Sequence, residues 1–462
     1  MMSSAPLWPH QEEAVRFIEA HGGRAMLYYG LGTGKTRCAV EWCDRQKFRR
    51  VLVLTPKAVI EHWRQDVEQF ASRPWRVAAL SSGTMAKKLK EIARATVLSD
   101  TPAIVIVNYE SATALKMKPV LMAMGFDALV VDESSRLRAP FGKQSKWIGM
   151  SLAPSIPNRI LLTGTPFPNS PLDIYGQMRI LDPEIFGYSY ARFRDQYAIR
   201  GGYQGYEVIG FQNLETLQEK MRSVTIHAAS DAVLDLPDRI PPVQVGVELN
   251  IDERKAYHAV ETEFEADVLD GTITVSNALV KLLRLQQLTG GHAHIETDDG
   301  VVCRSIGNSK RDALLSLLDN DIPKGEPVVV FFRFVAEMNA VRDEAVKRGY
   351  SPRMLRGDTN ELSDWQRGGG DLMLVQIQSG SMGITLVRSS VCVFYSLGFS
   401  LEKYIQAEGR LHRPGQTRSV RYFHMVARDT VDGYVYEAIR KKEHVVESIL
   451  SGVRTGKGQG RQ

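Results

Sequence analysis

A glycine-rich turn near the start of the chain constrains its fold more than any other feature. An apolar run over residues 24–29 leads directly into residues 30–36, which read Gly-Leu-Gly-Thr-Gly-Lys-Thr. The run predicts a buried strand, and the residues after the turn predict a helix. Backbone N–H groups at such a helix N-terminus favour a bound anion. The sequence therefore predicts a phosphate-binding loop between a strand and a helix.

Two side chains of this loop have the chemistry that a nucleoside triphosphate needs. Lys35 can reach the β- and γ-phosphates, and the Thr36 hydroxyl can ligate Mg²⁺. The strict pattern for such a loop requires a glycine where this chain has Tyr29. Gly30 and Gly32 keep the turn flexible, so the prediction stands despite this departure. The alternative interpretation is a tight strand–helix turn with a lysine on the surface.

Composition limits the class of protein without deciding its activity. The chain has 462 residues, of which 44% are hydrophobic and 24% are charged. These values are typical of a globular protein with about two or three domains. No apolar run approaches the roughly 18 residues of a membrane span, and no signal peptide is expected. The formal net charge of +5 permits a polyanionic partner but does not establish one.

The cysteines give no sign of a metal site or a disulfide framework. They are Cys38, Cys43, Cys303 and Cys392. Because they show no Cys-x-x-Cys spacing, a reducing cytoplasm fits them best, and no membrane association is expected. His292 and His294 lie near Cys303 in sequence, but a mobile glycine-rich loop explains this set better than a metal site does.

Apolar, β-branched runs alternate with amphipathic helical stretches along most of the chain. The predicted strands form two series, residues 24–29, 50–54, 103–108, 128–131 and 159–162, followed by residues 328–332, 372–376, 391–395 and 420–425. Such alternation predicts parallel sheets that are covered by helices on both faces. The expected fold class is therefore α/β, with two units of this kind.

The segments between and after the two series do not follow this alternation, and they indicate how the chain is divided. Residues 1–235 are expected to form the first unit, with a mainly helical insertion from about residue 171. Prolines within residues 236–242 predict a linker that cannot continue a helix. Residues 236–450 are expected to form the second unit, with a helical insertion up to about residue 300. The glycine-rich, basic residues 451–462 predict a disordered tail.

A second chemical motif follows the predicted strand at residues 128–131. Asp132 and Glu133 stand directly after this strand. In nucleoside triphosphatases an acid in this place holds the metal, and an acidic or amide neighbour positions the attacking water. Asp132 is therefore the candidate Mg²⁺ ligand, and Glu133 is the candidate base. The alternative is an acidic helix N-cap, for which Asp is equally suited.

Two arginines three residues apart form the third chemical motif. Arg410 and Arg413 lie within residues 406–416, which begin and end with glutamine. A guanidinium group that neutralises charge on a γ-phosphate is worth roughly 10³–10⁵ in rate. If this segment is helical, the two side chains share one face. The alternative is a solvated basic face of a helix.

The order of these motifs resembles that of a superfamily-two helicase of the Swi/Snf-like ATPase branch, in a minimal bacterial or phage form. The resemblance covers nearly everything from Leu7 to about Ile449. Its further elements are a glutamine element at residues 9–11, motif Ia at 54–57 with Trp63, motif Ib at 107–110, motif III at 161–169, branch-specific elements at 308–310 and 356–358, motif V at 378–386 and motif VI at 406–416.

The resemblance implies two RecA-like lobes that hydrolyse ATP, with Mg²⁺, in the cleft between them. The implied ATP-binding residues are Gln11, which would contact adenine, Gly30, Gly32, Thr33, Gly34, Lys35, Thr36, Gly383 and Gln406. Thr163 and Thr165 would couple hydrolysis to movement. The implied nucleic-acid contacts are Lys57, Asn108, Tyr109, Ser379 and Gly380. Each of these five residues could instead close a turn, and for Lys57 and Tyr109 this alternative is nearly as strong.

The chain departs from the family pattern at two places. The acidic motif ends in Ser135, where the family usually has histidine, so coupling between ATP and nucleic acid is expected to differ there. A basic Arg-Arg-x-Lys element is expected before the linker, but residues 225–230 read Thr-Ile-His-Ala-Ala-Ser. Both departures lie in the first predicted unit.

Three functions stay open at this point. The first is a DNA-dependent ATPase that translocates on duplex DNA, which the resemblance of motifs III and VI favours. The second is a strand-separating helicase on forked DNA or RNA, for which residues 200–206 could form a hairpin. The third is a nucleotide-gated switch that does not move. Replication, repair or nuclease proteins are compatible partners, in a bacterial cell or a phage-infected host.

Overall fold

The predicted alternation of strands and helices produces two seven-stranded sheets. The computed structural model describes residues 6–96, 101–202, 207–269, 275–297, 300–378 and 384–450. The chain divides into two units, one formed by Met1–Asp235 with Lys442–Gln462 and the other by Leu236–Lys441. Each unit is described by itself below.

The first unit contains a sheet in which all neighbouring strands run parallel. Its strands, with those of a separate hairpin, are β1 (Arg24–Tyr29), β2 (Arg50–Thr55), β3 (Arg76–Ala79), β4 (Ala103–Asn108), β5 (Ala128–Asp132), β6 (Asn158–Thr163), β7 (Ala198–Gly201), β8 (Glu207–Phe211) and β9 (Thr225–Ala228). The order in the sheet is β3-β4-β2-β5-β6-β1-β9. Five of these strands confirm the predicted ones, and β3 and β9 are additional strands at the two edges.

Helices cover both faces of this sheet. They are α1 (Pro9–Ala20), α2 (Lys35–Arg45), α3 (Ile60–Phe70), α4 (Met85–Thr96), α5 (Tyr109–Ala112), α6 (Lys118–Ala123), α7 (Lys143–Trp147), α8 (Ile174–Leu181), α9 (Tyr190–Tyr197), α10 (Leu214–Arg222) and α11 (Ser230–Val233). Successive residues of β5 alternate between two cores, since Leu129 and Val131 belong to one apolar cluster and Val130 to the other. This double burial explains why the strands read as continuous apolar runs.

The second unit repeats the plan with an antiparallel strand at one edge. Its strands are β10 (Val243–Val247), β11 (His292–Thr297), β12 (Gly300–Ser305), β13 (Val328–Phe332), β14 (Pro352–Arg356), β15 (Thr359–Asn360), β16 (Leu372–Gln376), β17 (Val391–Phe394) and β18 (Arg421–Ala427). Seven of these strands form one sheet, in the order β10-β18-β17-β13-β16-β14-β15. Within the described residues of this sheet, β15 is the only strand that pairs antiparallel to its neighbour. The four predicted strands of this unit are confirmed as β13, β16, β17 and β18.

The helices of this unit begin with the predicted insertion. They are α12 (Ile251–Leu269), α13 (Val275–Thr289), α14 (Ser309–Asn320), α15 (Val335–Lys347), α16 (Leu362–Gln366), α17 (Leu401–Glu408) and α18 (Val431–Leu450), the last of which begins in this unit. No helix of the described residues is long and apolar enough to cross a membrane.

Two antiparallel strand pairs lie in or next to the segments that were predicted to be mainly helical. The antiparallel pair β7–β8 lies between α9 and α10, and residues 203–206, between its strands in sequence, are outside the described residues. The pair β11–β12 places His294 opposite Cys303. The glycine-rich loop that was expected around His292 is therefore wrong, because the alternation of β-branched and polar residues forms two strands there. The predicted tail at residues 451–462 lies outside the described residues.

Candidate nucleotide-binding site

The phosphate loop is the turn between β1 and α2. β1 ends at Tyr29, and α2 begins at Lys35 with Gly34 as its N-cap residue. Gly32 and Gly34 have φ angles of +79° and +83°, a left-handed conformation that residues with a Cβ disfavour. A Cβ on Gly34 would also collide with Nε2 of Gln11. The glycines are therefore required by the turn that leads into the N-terminus of α2, where an anion is favoured.

The ammonium group of Lys35 is held against this loop. Its Nζ donates to the carbonyl oxygens of Tyr29, at 2.7 Å, and Gly30, at 3.0 Å. A Cβ on Gly164, within motif III, would lie 3.9 Å from the same Nζ. The cation thus stands at the carboxyl ends of β1 and β6, next to the turn that is predicted to bind phosphate.

Two side chains of α1 donate to one carbonyl of the loop. Nε2 of Gln11 lies 3.1 Å from the carbonyl oxygen of Thr33, and Nε2 of His10 lies 2.9 Å from the same atom. Burial lowers the pKa of His10, which favours the neutral ring with its proton on Nε2. Oε1 of Gln11 accepts from the backbone N–H of Trp8 at 3.0 Å. Gln11 fixes the loop in this structure, and its contact with adenine stays a prediction.

The tyrosine that departs from the strict loop pattern has a structural role. Tyr29 is fully buried, and its hydroxyl donates to the carbonyl oxygen of His10 at 2.8 Å. This bond ties the end of β1 to the start of α1, which in turn holds Thr33. Where a glycine would leave the backbone flexible, the Tyr29 side chain fixes it by burial and by this hydrogen bond.

Ser230 supports the loop from a segment that the sequence did not assign to the site. Its Oγ donates to the carbonyl oxygen of Leu31 at 2.8 Å. The N–H of Gly30 donates to the carbonyl oxygen of Ala228, also at 2.8 Å, and a Cβ on Gly30 would collide with Ser230. The segment lacking the expected basic element is thus β9 and the residues after it. The absence of the expected basic element is the sequence signal that sets this segment apart. Its contact with the loop depends on the pairing of β9 with β1, which the sequence did not predict.

Asp132 is the last residue of β5, and its carboxylate is fixed by neutral donors. Oδ2 accepts from the Thr55 hydroxyl at 2.9 Å and from the Trp63 indole at 2.8 Å, and Oδ1 accepts from the N–H of Glu133 at 3.0 Å. Glu133 has a φ of +49°, which is uncommon for a residue other than glycine. The carboxylate of Asp132 is thus held in a set orientation at the carboxyl edge of the sheet.

A third acid near these residues was not predicted. Asp66 of α3 makes a side-chain hydrogen bond with Thr36. Burial raises the pKa of Asp66, and the nearby charge of Asp132 raises it further, while His62 and Thr36 lower it. A hydroxyl and a carboxylate therefore meet at the start of α2, and the charge of Asp132 is near enough to act on Asp66. Oxygen ligands of this kind are those that Mg²⁺ prefers, so the residues present fit this ion.

Motif III includes the last residues of β6 and the chain after it, and most of its residues are buried. Oγ1 of Thr163 accepts from the backbone N–H of Thr165 at 3.0 Å, which closes a tight turn. The Thr165 hydroxyl is buried and has no hydrogen-bond partner within the described parts of the chain. The structure therefore brings Lys35, Thr36, Asp132 and motif III together at one edge of the first sheet. The coupling role of the two threonines stays a prediction.

The arginine motif of the second unit is not helical, contrary to the condition set above. α17 ends at Glu408, and the chain continues in successive turns because glycine and proline follow. Arg410 is buried, whereas Arg413 is half-buried and its Nη1 donates to the carbonyl oxygen of Ile384 at 2.9 Å. Burial lowers the pKa of Arg413. Gln406 is half-buried on α17, and Gly383 lies outside the described residues.

The predicted nucleic-acid contacts have different environments. Lys57 is exposed in the turn after β2. Asn108 is buried, and its Nδ2 donates to Oε2 of Glu110 at 2.6 Å. Tyr109 is fully buried and its hydroxyl donates to the carbonyl oxygen of Asp132, so a nucleic-acid contact there would have to come from the backbone. Ser379 and Gly380 lie outside the described residues.

The sequence matches two families of domains. Residues 10–291 match the SNF2-related domain, which is more than half of the chain, and residues 309–415 match the helicase conserved C-terminal domain. The chain belongs to the SNF2-related family. It is therefore a helicase-type, nucleic-acid-dependent ATPase, related to DNA-translocating remodellers.

Relatives of this SNF2-related chain include a phage protein and longer animal proteins. Protein p41 of Acyrthosiphon pisum secondary endosymbiont phage 1 is 26% identical over 455 residues, covering 93% of this chain and 95% of p41. The human DNA annealing helicase and endonuclease ZRANB3 is 23% identical over 479 residues, covering 97% of this chain and 41% of ZRANB3. The chain thus spans nearly all of the phage relative but less than half of the human one.

One solved structure that is similar to this chain is a Sulfolobus solfataricus SWI2/SNF2 ATPase core in complex with dsDNA. It is 20% identical, with a TM-score of 0.44, and the match covers 97% of this chain and 93% of that one.

Proposed function

We propose that this protein hydrolyses ATP in order to translocate along duplex DNA. The observation that carries the proposal is the assembled edge of the first sheet, where the phosphate loop with Lys35, the oriented acid Asp132 and motif III meet. Membership of the SNF2-related family supports the choice of DNA as the partner.

The residues of the first unit divide the chemistry among them. Bound ATP supplies the phosphoanhydride bond that is hydrolysed, and Mg²⁺ supplies charge neutralisation on its phosphates. Lys35 and the start of α2 would hold the phosphates, and Thr36 and Asp132 would hold the metal. Glu133, next to Asp132, would orient the attacking water and accept its proton.

The second unit would contribute arginines to the same reaction. Arg410 and Arg413 are proposed to neutralise charge that develops on the γ-phosphate, an effect worth roughly 10³–10⁵ in rate. The Nη1 group of Arg413 donates to a main-chain carbonyl, which is neutral and does not offset the positive charge of the guanidinium. Loss of the contact between the arginines and the γ-phosphate after hydrolysis would provide the conformational change that movement requires.

DNA would be gripped without recognition of its sequence. Lys57 is exposed at the carboxyl end of β2 and is the proposed phosphate contact on the first unit. Contacts to phosphate position a protein on DNA but carry no sequence information. Affinity should therefore fall steeply with salt and vary little among DNA sequences.

Steady-state ATP hydrolysis tests the proposal directly. The purified protein is assayed alone and with duplex DNA, single-stranded DNA, forked DNA and RNA, with Lys35→Ala as the inactive reference. Strongest stimulation by duplex DNA, followed by ATP-dependent displacement of a triplex strand, is the expected result. Stimulation without triplex displacement would contradict translocation, and no stimulation by any nucleic acid would leave a nucleotide switch.

Strand separation is the second candidate function, and the β7–β8 hairpin favours it. The hairpin exposes Ile209, which is 65% accessible, and Val208, which is 41% accessible. Apolar side chains can wedge between bases and unstack them. Strongest stimulation by forked DNA, together with release of a labelled strand, would place this candidate first.

A further inference from the structure

The contact between helix α8 and the acidic motif contains a polar bridge that the functional assignment leaves unexplained. Gln177 of α8 is fully buried, at 0% exposure. Its Oε1 accepts from the Ser134 hydroxyl at 2.8 Å, and its Nε2 donates to the carbonyl oxygen of Pro166 at 2.7 Å. Ser134 follows Glu133 in the acidic motif, and Pro166 belongs to motif III. One side chain therefore joins the two motifs.

The orientation of this amide is set by its partners. Nε2 makes a second bond, to the carbonyl oxygen of Asp173 at 3.1 Å. Because carbonyl oxygens only accept, the amide nitrogen must face Pro166 and Asp173, which leaves Oε1 for Ser134. The bonds to Ser134 and Pro166 are buried, so neither can be exchanged for water without exposing the group, and the bond to Asp173 is partly buried. A shift of Ser134 would thus move Gln177 or break a hydrogen bond.

The backbone of α8 independently marks the same contact. Gly176, adjacent to Gln177, packs against the turn that follows the acidic motif. A Cβ on Gly176 would collide with the carbonyl oxygens of Leu137 and Arg138. α8 therefore lies directly on this turn, with no side chain between them. A close helix contact of this kind transmits small displacements, because packed interiors are stiff.

The bridge also closes a path back to the phosphate loop. From Pro166 the chain runs back through Thr165 to Gly164, where a Cβ would lie 3.9 Å from Nζ of Lys35. The acids and the phosphate-binding lysine are thus connected through Ser134, Gln177 and motif III. The Ser135 departure from the usual histidine stands beside this bridge.

We propose that Gln177 is a positioning residue. When nucleotide binds at the acidic motif, Gln177 transmits the resulting change to motif III, and so couples nucleotide binding to the stimulation of hydrolysis by DNA. The inference rests on the proposed function for its meaning in translocation. The bridge itself can be tested without DNA. It predicts that nucleotide binding at the acidic motif alters the dynamics of residues 163–169, and that this response requires Gln177.

Hydrogen exchange of the full chain, with and without ATPγS and Mg²⁺, measures that response. In the wild type, nucleotide should slow exchange in residues 30–36 and also in residues 163–169. In Gln177→Leu the response of 163–169 should be lost, while that of 30–36 remains. Met178→Leu is the matched control, because it alters a buried side chain of the same helix without touching the bridge.

A milder variant keeps the test decisive if Gln177→Leu folds poorly. Ser134→Ala removes one arm of the bridge and should lose the same response, and the double variant should lose no more than either single one. DNA-stimulated kcat should fall roughly 2- to 30-fold with little change in KM. A wild-type response that is absent, or that survives in both variants, would overturn the proposal. A wild type without DNA stimulation would instead contradict the proposed function, while the exchange result would still decide the bridge.

Discussion

Both units bury charged side chains at the carboxyl edge of a parallel sheet, but they satisfy those charges in opposite ways. In the first unit, the side-chain donors to Asp132 are the neutral groups of Thr55 and Trp63. In the second unit, Asp432 pairs with Lys310 at 2.5 Å, and these side chains are 9% and 1% exposed. Neutral donors orient a carboxylate and leave its negative charge, whereas an ammonium group neutralises it.

This difference separates the candidate site from a structural ion pair. Carboxylate oxygens that accept from neutral donors can still bind a cation, which suits Asp132 to the metal role proposed above. A buried ion pair is instead costly to break from one side, because the remaining charge has no partner. Substitutions in the first cluster should therefore remove activity and preserve the fold. Substitutions in the second should destabilise the protein first.

The largest expected effect comes from Arg413, a residue of the second unit whose substitution should remove activity and preserve the fold, as in the Asp132 cluster. Arg413→Ala should retain ATP binding but slow hydrolysis by roughly 10³–10⁵-fold, as for an arginine that neutralises the γ-phosphate. Single-turnover hydrolysis and nucleotide binding separate the two effects. Arg428→Ala is the matched control, because Arg428 is an exposed arginine of the same unit that pairs with Glu248. Unchanged hydrolysis in Arg413→Ala would sink its assigned role.

Glu133→Gln should produce the next largest effect, within the first cluster. A glutamine keeps the shape but cannot accept the proton of water, so hydrolysis should slow by roughly 10²–10⁴-fold. ATP-bound protein should accumulate on DNA, which a filter-binding assay with labelled nucleotide detects. Glu91→Gln, on α4, serves as the reference substitution at a distance from the acidic motif. Full activity in Glu133→Gln would assign the water to another group.

Breaking the ion pair should affect stability rather than chemistry. Lys310→Met leaves the Asp432 carboxylate without its cation and should cost about 3–5 kcal/mol in the free energy of unfolding. The double variant Lys310→Met with Asp432→Leu should be more stable than the single one. Denaturant titration measures both, and Lys347→Met, which breaks an exposed pair with Glu344, should cost no more than about 1 kcal/mol. Equal losses in the two single variants would mean that the buried pair is not a structural lock.

Local patterns in the sequence identified the candidate site residues but not the residues that hold them in place. Lys35 and Asp132 follow apolar strands directly, so a short window reveals them. Trp63 meets Asp132 across 69 positions, and Ser230 meets Leu31 across 199, so these contacts depend on strand order. The edge strand β9 was missed because it is short and carries polar residues, whereas buried central strands read as continuous apolar runs.

The helical assumption for the arginine motif failed for a reason that the sequence contains. Gly409 follows the last residue of α17, and Pro414 follows Arg413. Glycine commonly ends a helix, and proline prevents its continuation. Spacing alone suggested a shared face, and these two residues show why it could not form.

The smallest expected effect is a pH dependence of stability that belongs to the second unit. Burial raises the pKa of Glu337 to about 7 from its ordinary value of 4.5, although a hydrogen bond from Ser396 and the charge of Lys310 oppose this. The folded state therefore binds more protons than the unfolded state between about pH 4.5 and 7. Stability from this group is present at the acidic end of that window and is lost as the pH rises through it.

Glu337→Gln should remove this dependence. Its amide oxygen can still accept from the backbone N–H groups of Arg333 and Phe334, which Glu337 now holds at 3.1 Å each. The variant should gain stability relative to wild type between pH 5 and pH 8, by at most about 3 kcal/mol, since one pKa unit corresponds to about 1.4 kcal/mol. Thermal unfolding at both pH values measures this, with Glu344→Gln, at a half-buried acid of the same helix, as the control. A pH slope that persists in Glu337→Gln but disappears in Asp132→Asn would place the titrating group in the first unit and undo the contrast between the two clusters.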